Sequence, residues 1–203
     1  MRILHFAFLF SLLYSQYHSS EWNSITSLLT PTGIQVTNDD IVYASTSGGL
    51  LEFNSITKKF NFIKMEEGLV YLDLASIAID SKGRLWLGGA SPKGCLQIYD
   101  PAIGFIEHDE GYCDDDVGSI SNIKIADAIA FAVYEGPTSS SIGILEFQLD
   151  TDGLPVFQDS YTDFTDEAIA EIHDLDIFQD SVYVTTDKGI FAGNYSDILN
   201  LSM

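Results

Sequence analysis

The sequence predicts an all-β fold: a β-propeller of four-stranded antiparallel blades, about four of them and an incomplete set. Three observations lead there. First, four strand-like lines recur, "DIVYAST" (40–46), "GRLWLGG" (83–89), "AIAFAVY" (128–134) and "SVYVTTD" (181–187). Each has an aromatic near its middle, Tyr43, Trp86, Phe131 and Tyr183, at spacings of 43, 45 and 52 residues. Recurrence at a period of roughly 20 to 50 residues marks a repeat architecture. Second, an apolar pair two positions apart precedes each line: Ile34 and Val36, Ile77 and Ile79, Ile123 and Ile125, Leu175 and Ile177. Period two is the signature of a strand. Third, a glycine and another strand follow each line: "GGLLEF" (48–53), "GCLQIY" (94–99), "IGILEF" (142–147) and "KGIFAG" (188–193). Four short antiparallel strands in about 45 residues make one propeller blade. A sandwich would also supply many short strands, but without a fixed recurrence of glycine and aromatic.

The elements follow in order. Met1-Arg2 and the apolar run Ile3 to Leu13 read as a secretory signal peptide over residues 1–15, with cleavage expected after Ser15 and with Ser19 or Ser20 as alternative points. The run falls well short of the about 20 apolar residues that a membrane helix needs. The propeller is expected over 16–203, with blades near 25–65, 66–110, 117–160 and 168–203. In the first, Asn38-Asp39-Asp40 turns the inner strand into the second, and "KKFNFIKM" is the outer strand. In the second blade Asp80 to Gly83 makes that turn, and "GFIEHDE" is outermost. In the third, Asp150 to Gly153 leads into "LPVFQDS". Asn, Asp and Gly suit such turns because they tolerate the left-handed backbone conformations that tight hairpins use. The fourth blade has only "NYSDILNLSM" left for its outer strand. The reading is therefore an N-terminal piece of a longer propeller, or one whose missing blades come from another copy.

Residues 66–100, "EEGLVYLDLASIAIDSKGRLWLGGASPKGCLQIYD", resemble the repeat of the two-component-regulator propellers. The shared features are a Gly-Leu lead-in, an Asp before a Gly turn, a Leu-Trp-Leu-Gly strand and a strand ending in Tyr-Asp. Residues 21–54, "EWNSITSLLTPTGIQVTNDDIVYASTSGGLLEFN", are similar to the opening of the N-terminal propeller in PorZ-type proteins of type IX secretion. The resemblance covers roughly residues 21–110; "IADAIAFAVYEGPTSSS" lacks both the Asp turn and the Trp. It implies an exported, non-enzymatic binding or scaffold module at the bacterial surface or periplasm, in secretion or surface attachment. The alternative it implies is the extracytoplasmic propeller of a hybrid sensor kinase, binding a small ligand such as a glycan fragment. A propeller lyase or hydrolase using His173 or His108 stands third.

Charge narrows the partners. Thirty acidic residues face nine basic ones, a net charge of -21. Such a field repels nucleic acid and anionic membrane surfaces. No later segment is apolar enough to be a membrane helix, so no membrane insertion is expected. The expected partner is a protein or a glycan, basic in character if it uses the acids. Many of these fall in loops that the propeller topology places at one end, among them Glu66, Glu67, Asp73, Glu135, Asp159, Glu171 and Asp187.

The densest stretch is "EHDEGYCDDD" (107–116), where Asp109, Glu110, Asp114, Asp115 and Asp116 are candidate calcium ligands. Crowded carboxylates disfavour one another's ionised form, and calcium accepts irregular loop oxygens. No other cofactor is expected. Cys95 and Cys113 form a disulfide or stay as two free thiols; their spacing carries no zinc pattern. His173 in "EIHDLDIF" reads as a histidine packed between blades. "DTDG" (150–153) reads as a turn, because it lacks the distal ligands of a calcium loop. No nucleophile elbow, paired metal-binding histidines or phosphate loop occurs in the sequence.

Overall fold

The computed structural model describes residues 28, 30–105, 112–137, 141–162 and 168–195. The strands among them form four separate antiparallel sheets, each a meander in chain order. The first blade comprises β1 (Pro31–Val36), β2 (Ile41–Thr46), β3 (Gly49–Asn54) and β4 (Lys59–Ile63). The second comprises β5 (Asp73–Ile79), β6 (Leu85–Ser91), β7 (Leu96–Asp100) and β8 (Gly104–Phe105). The third holds β9 (Ser119–Ala126), β10 (Ile129–Glu135), β11 (Ile142–Leu149) and β12 (Pro155–Tyr161). The fourth holds β13 (Ile172–Phe178), β14 (Ser181–Thr186) and β15 (Gly189–Asn194). The protein is an all-β propeller of successive antiparallel blades, and the innermost strands are the four marked by the apolar pairs. Between β4 and β5 lies one 3-10 turn, Met65–Glu67. Residues 1–15, read from the sequence as a signal peptide, lie outside the described residues.

The core is three seams. In the first, Tyr43 and Leu50 of blade one meet Leu74, Ile77, Leu85 and Leu87 of blade two. In the second, Trp86, Leu96 and Ile98 meet Ile120, Ile123, Ala130, Ala132 and Phe147. In the third, Phe131, Val133 and Ile144 meet Leu175, Val182 and Val184. Each blade buries both faces only where it has a neighbour on both sides, and successive residues of an inner strand point to opposite faces, so the alternate apolar residues of each pair fill one seam.

Hydrogen bonds run along the seams as well. The Thr32 hydroxyl donates to the Leu74 carbonyl at 2.8 Å, and the Ser76 hydroxyl to that of Ile120 at 2.7 Å. The Gln35 amide donates to the Ile77 carbonyl at 3.3 Å. Gly88 packs so closely here that a Cβ would stand 2.3 Å from Ser76 Oγ and 2.5 Å from the Ile120 carbonyl oxygen.

The inner strands share a feature with no trace in the apolar pattern. Each has a β-bulge at the same repeat position, whose extra residue is Thr32, Ala75, Ser121 or His173. A bulge leaves its residue unpaired and sharpens the twist. His173 is consequently not packed between blades as the sequence suggested. Its side chain is half exposed, with Nδ1 3.8 Å from Glu171 Oε2.

Candidate functional site

Chain direction fixes what each end of the blades holds. Inner strands begin, and second strands end, at the same end as the links between blades. The hairpins there repeat a motif: Thr46 Oγ1 accepts the Gly48 N–H at 3.1 Å and donates to the Gly49 carbonyl at 2.7 Å. Thr186 does the same for Lys188 and Gly189. Gly49 and Gly189 sit at φ of 125° and 135°, which residues with a Cβ rarely adopt. The "STSGG" stretch is thus a hairpin, not an anion loop.

On this end the second link is anchored first. Cys95 and Cys113 form a disulfide with Cα atoms 4.5 Å apart, and Leu96 bridges Tyr112 as an isolated β-pair. The Tyr112 ring stacks on Phe157 at 4.8 Å and meets Phe147 edge-on at 5.4 Å. Burial, reinforced by Asp114, pushes its hydroxyl pKa up to about 12.

Asp114, Asp115 and Asp116 follow at once, all exposed. Their partners diverge. Asp114 Oδ1 accepts the Asp116 N–H at 2.9 Å, while Asp115 pairs with Lys93, whose hydrogen bond holds that carboxyl below its ordinary range. Asp109, Glu110 and His108 lie outside the described residues. Among the described residues no three His, Cys, Asp or Glu side chains come together as a metal-ligand group.

Acids recur on the other links. Glu67 caps the 3-10 turn by accepting the Lys64 N–H at 2.8 Å. Asp187 accepts the Ala170 and Glu171 N–H groups at 3.0 and 3.3 Å. The Lys188 hydrogen bond, with these backbone donors, draws its pKa down to about 2. The link into blade two is clamped by the buried Gln97 amide, which accepts from Val70 and Tyr71 N–H and donates to the Tyr71 carbonyl. The result is a fixed rim of carboxylates.

The opposite end holds the β-hairpin turns of the inner strands. Between the first two blades it opens a cleft of about 650 Å³, lined in part by Asn38, Asp39, Asp80, Lys82 and Asp100. Beside it lies a densely bonded buried group, which the sequence reading missed. Asp80 accepts from Lys82 N–H, Arg84 N–H, Arg84 Nε and Trp86 Nε1 at 2.9, 2.9, 2.7 and 3.3 Å. The Arg84 guanidinium, paired with Asp80 at 2.7 Å, reaches across to the Asp152 and Gly153 carbonyls of the third blade. Lys82 joins it at Asp152. The "DTDG" turn therefore meets protein cations, with Asp150 Oδ1 accepting the Asp152 and Leu154 N–H groups. One signal was available: Arg84 is the only arginine besides Arg2.

A second buried acid was also missed. Glu146 is 1% exposed, accepts the Tyr161 hydroxyl at 2.5 Å, and has its carboxyl pushed up by burial. Its counterpart Glu52, in nearly the same tetrapeptide, accepts the Tyr43 hydroxyl at 3.2 Å.

No protein-family model matches the sequence, and no curated protein does. Solved structures do resemble the fold. PorZ, a bacterial surface component of the type-IX secretion system of Porphyromonas gingivalis, superposes with a TM-score of 0.58 at 18% identity over 86% of this chain. The extracellular domain of a one-component system from B. thetaiotaomicron superposes with a TM-score of 0.56 at 14% identity over 85% of this chain. The chain spans 26% and 22% of their respective lengths. At these identities the likeness is one of fold.

Proposed function

We propose that this chain is an exported, non-enzymatic propeller module that binds or scaffolds a partner at the bacterial cell surface or in the periplasm. The observation that supports it best is the carboxylate rim on the link-bearing end, where Asp114, Asp115, Asp116 and Glu171 stand exposed around loops pinned by a disulfide, Gln97 and Asp187. Loops held by a rigid scaffold are where propellers and similar folds place recognition. A rim of one charge sign favours a basic protein surface and speeds its encounter, an effect that salt weakens. The likeness to PorZ agrees with a surface role, as does the disulfide, which persists in oxidising compartments.

Ligand sensing is the second reading. The cleft between the first two blades favours it, because its mixture of amide, carboxylate and ammonium groups suits a hydroxyl-rich ligand such as a glycan fragment.

Two measurements test the main proposal. The tagged chain produced in a Gram-negative host is expected outside the cytoplasm with its cysteines oxidised. A labelled polylysine probe is expected to bind the purified protein in low salt, and to bind D114N/D115N/D116N several-fold more weakly. Equal binding by both proteins would remove the rim as a docking surface; a cytoplasmic, reduced product would remove export.

A further inference from the structure

The two ends of the blade arc expose complementary halves of one interface. At every internal seam the leading blade contributes the aromatic of its second strand and the third-strand apolar residue paired two positions beyond that aromatic. Tyr43, Trp86 and Phe131 are 2%, 0% and 1% exposed, but Tyr183 is 40%. Leu50, Leu96 and Ile144 are 0%, 0% and 2% exposed, but Ile190 is 73%. The trailing blade contributes the first member of its inner strand's apolar pair, two positions after the bulge residue. Ile77, Ile123 and Leu175 are 7%, 5% and 1% exposed, but Ile34 is 64%.

Cross-strand register extends the first-blade face. Ile34 lies opposite Ala44, Ala44 opposite Leu51, and Leu51 opposite Phe62; a second row runs from Val36 through Val42 and Phe53 to Phe60. Directly opposed residues share a sheet face. Ile34, Val36, Phe60 and Phe62 are all exposed. Apolar faces of this extent mark interaction sites.

We propose that a second copy of this chain covers both faces, blade four of each packing on blade one of the other. Such a contact continues the internal architecture: it repeats, with the same kinds of residue at the same repeat positions, a seam that the chain already makes between its own blades. Two such contacts related by a two-fold axis close a ring of about eight blades, within the range that propellers adopt. Across the seam between blades three and four, Asn122 donates to Asp174 and Lys124 pairs with Asp176 at 4.0 Å. Both copies are strongly anionic, so association tightens as salt screens them.

Sedimentation velocity of the purified chain tests this. A compact dimer is expected at 150 mM salt, tighter at 500 mM. Ile34→Glu and Ile190→Glu each bury an unpaired charge in both contacts and are expected to weaken the dimer at least about 100-fold. Both residues are exposed within the chain, so each variant is expected to keep the wild-type circular dichroism spectrum. An equimolar mixture of the two regains one unmodified contact, so a dimer weaker than wild type is expected to return. A wild-type chain that stays monomeric at both salts overturns the proposal. So does an Ile190→Glu variant that dimerises normally, because blade one then pairs with itself, and so do species growing beyond the dimer, because the contact then fails to close.

Discussion

Replacing Arg84 with Met tests how far one guanidinium holds two blades together. Met keeps the unbranched stem as far as the position of Nε and removes the guanidinium charge and donors. The Asp80 and Arg84 side chains are 2% and 7% exposed, so the pair has little water to fall back on. Removing one partner of a buried pair costs about 3 to 5 kcal/mol. Asp80 would retain three N–H donors, from Lys82, Arg84 and Trp86, which limits the loss. The carbonyls of Asp152 and Gly153 each lose a donor, while Lys82 still reaches Asp152. These effects place the cost near the lower bound, about 3 kcal/mol, or about 6 to 12 °C in Tm for a domain of this size. Adding Asp80→Asn removes the orphaned charge and keeps an acceptor oxygen, so the double variant is expected to recover about 1 kcal/mol over Arg84→Met. Denaturant titration supplies the energies. Hydrogen exchange supplies the place: the turn from Asp150 to Gly153 should lose protection before the first blade does. A Tm within about 1 °C of wild type, corresponding to under about 0.5 kcal/mol, would refute the reasoning, because the pair would then behave as a solvated one.

Three other outcomes are expected. Gly88→Ala places a methyl against Ser76 Oγ and the Ile120 carbonyl and should cost about 2 to 3 kcal/mol by thermal unfolding, whereas the same change at Gly193, which nothing crowds, should cost under about 1 kcal/mol. Glu146→Gln should stabilise the protein at pH 7. Burial raises the folded carboxyl above its unfolded value, so the wild-type contribution is favourable below the unfolded pKa of about 4.3 and is lost as pH rises through the folded one; the gain seen in Tm should therefore shrink as pH falls to about 4. Reducing the Cys95–Cys113 disulfide, or replacing both residues with Ala, releases a loop of 18 positions and should cost about 3 kcal/mol in denaturant. A reduced protein as stable as the oxidised one would show that the Tyr112 stack alone anchors the link.

What the sequence made legible was the repeat, because its physical cause is repeated. Every inner strand must be apolar on alternate residues to fill a seam, so Ile77 and Ile123 announce themselves. The aromatics Tyr43, Trp86 and Phe131 do too. What stayed hidden depended on distance across the fold. Arg84 acts on carbonyls of another blade, and nothing near it in sequence says so. Nothing in the sequence sets Glu146 apart from the other acids, yet burial decides its behaviour. His173 was misread because alternation assumes an uninterrupted ladder, and an inserted residue leaves the composition of a strand unchanged. The cysteines could not be paired without the 4.5 Å Cα separation that only the folded chain supplies. The acidic end was inferable from connectivity alone, since strand direction decides which loops share it.

The bulge has a consequence for how the blades can change over time. Thr32, Ala75, Ser121 and His173 differ in size, polarity and charge, yet each strand resumes its pairing on the far side of the extra residue with the register offset by one. A residue opposite no partner has no cross-strand pair to satisfy, so its identity is uncoupled from the ladder. Three of the four are exposed, and only Thr32 spends its side chain on the seam. Blades two to four thus each contain one slot near the rim where a mutation can alter chemistry without testing the fold. Duplicated blades can diverge there first, turning a monotonous scaffold into a row of independently tunable positions.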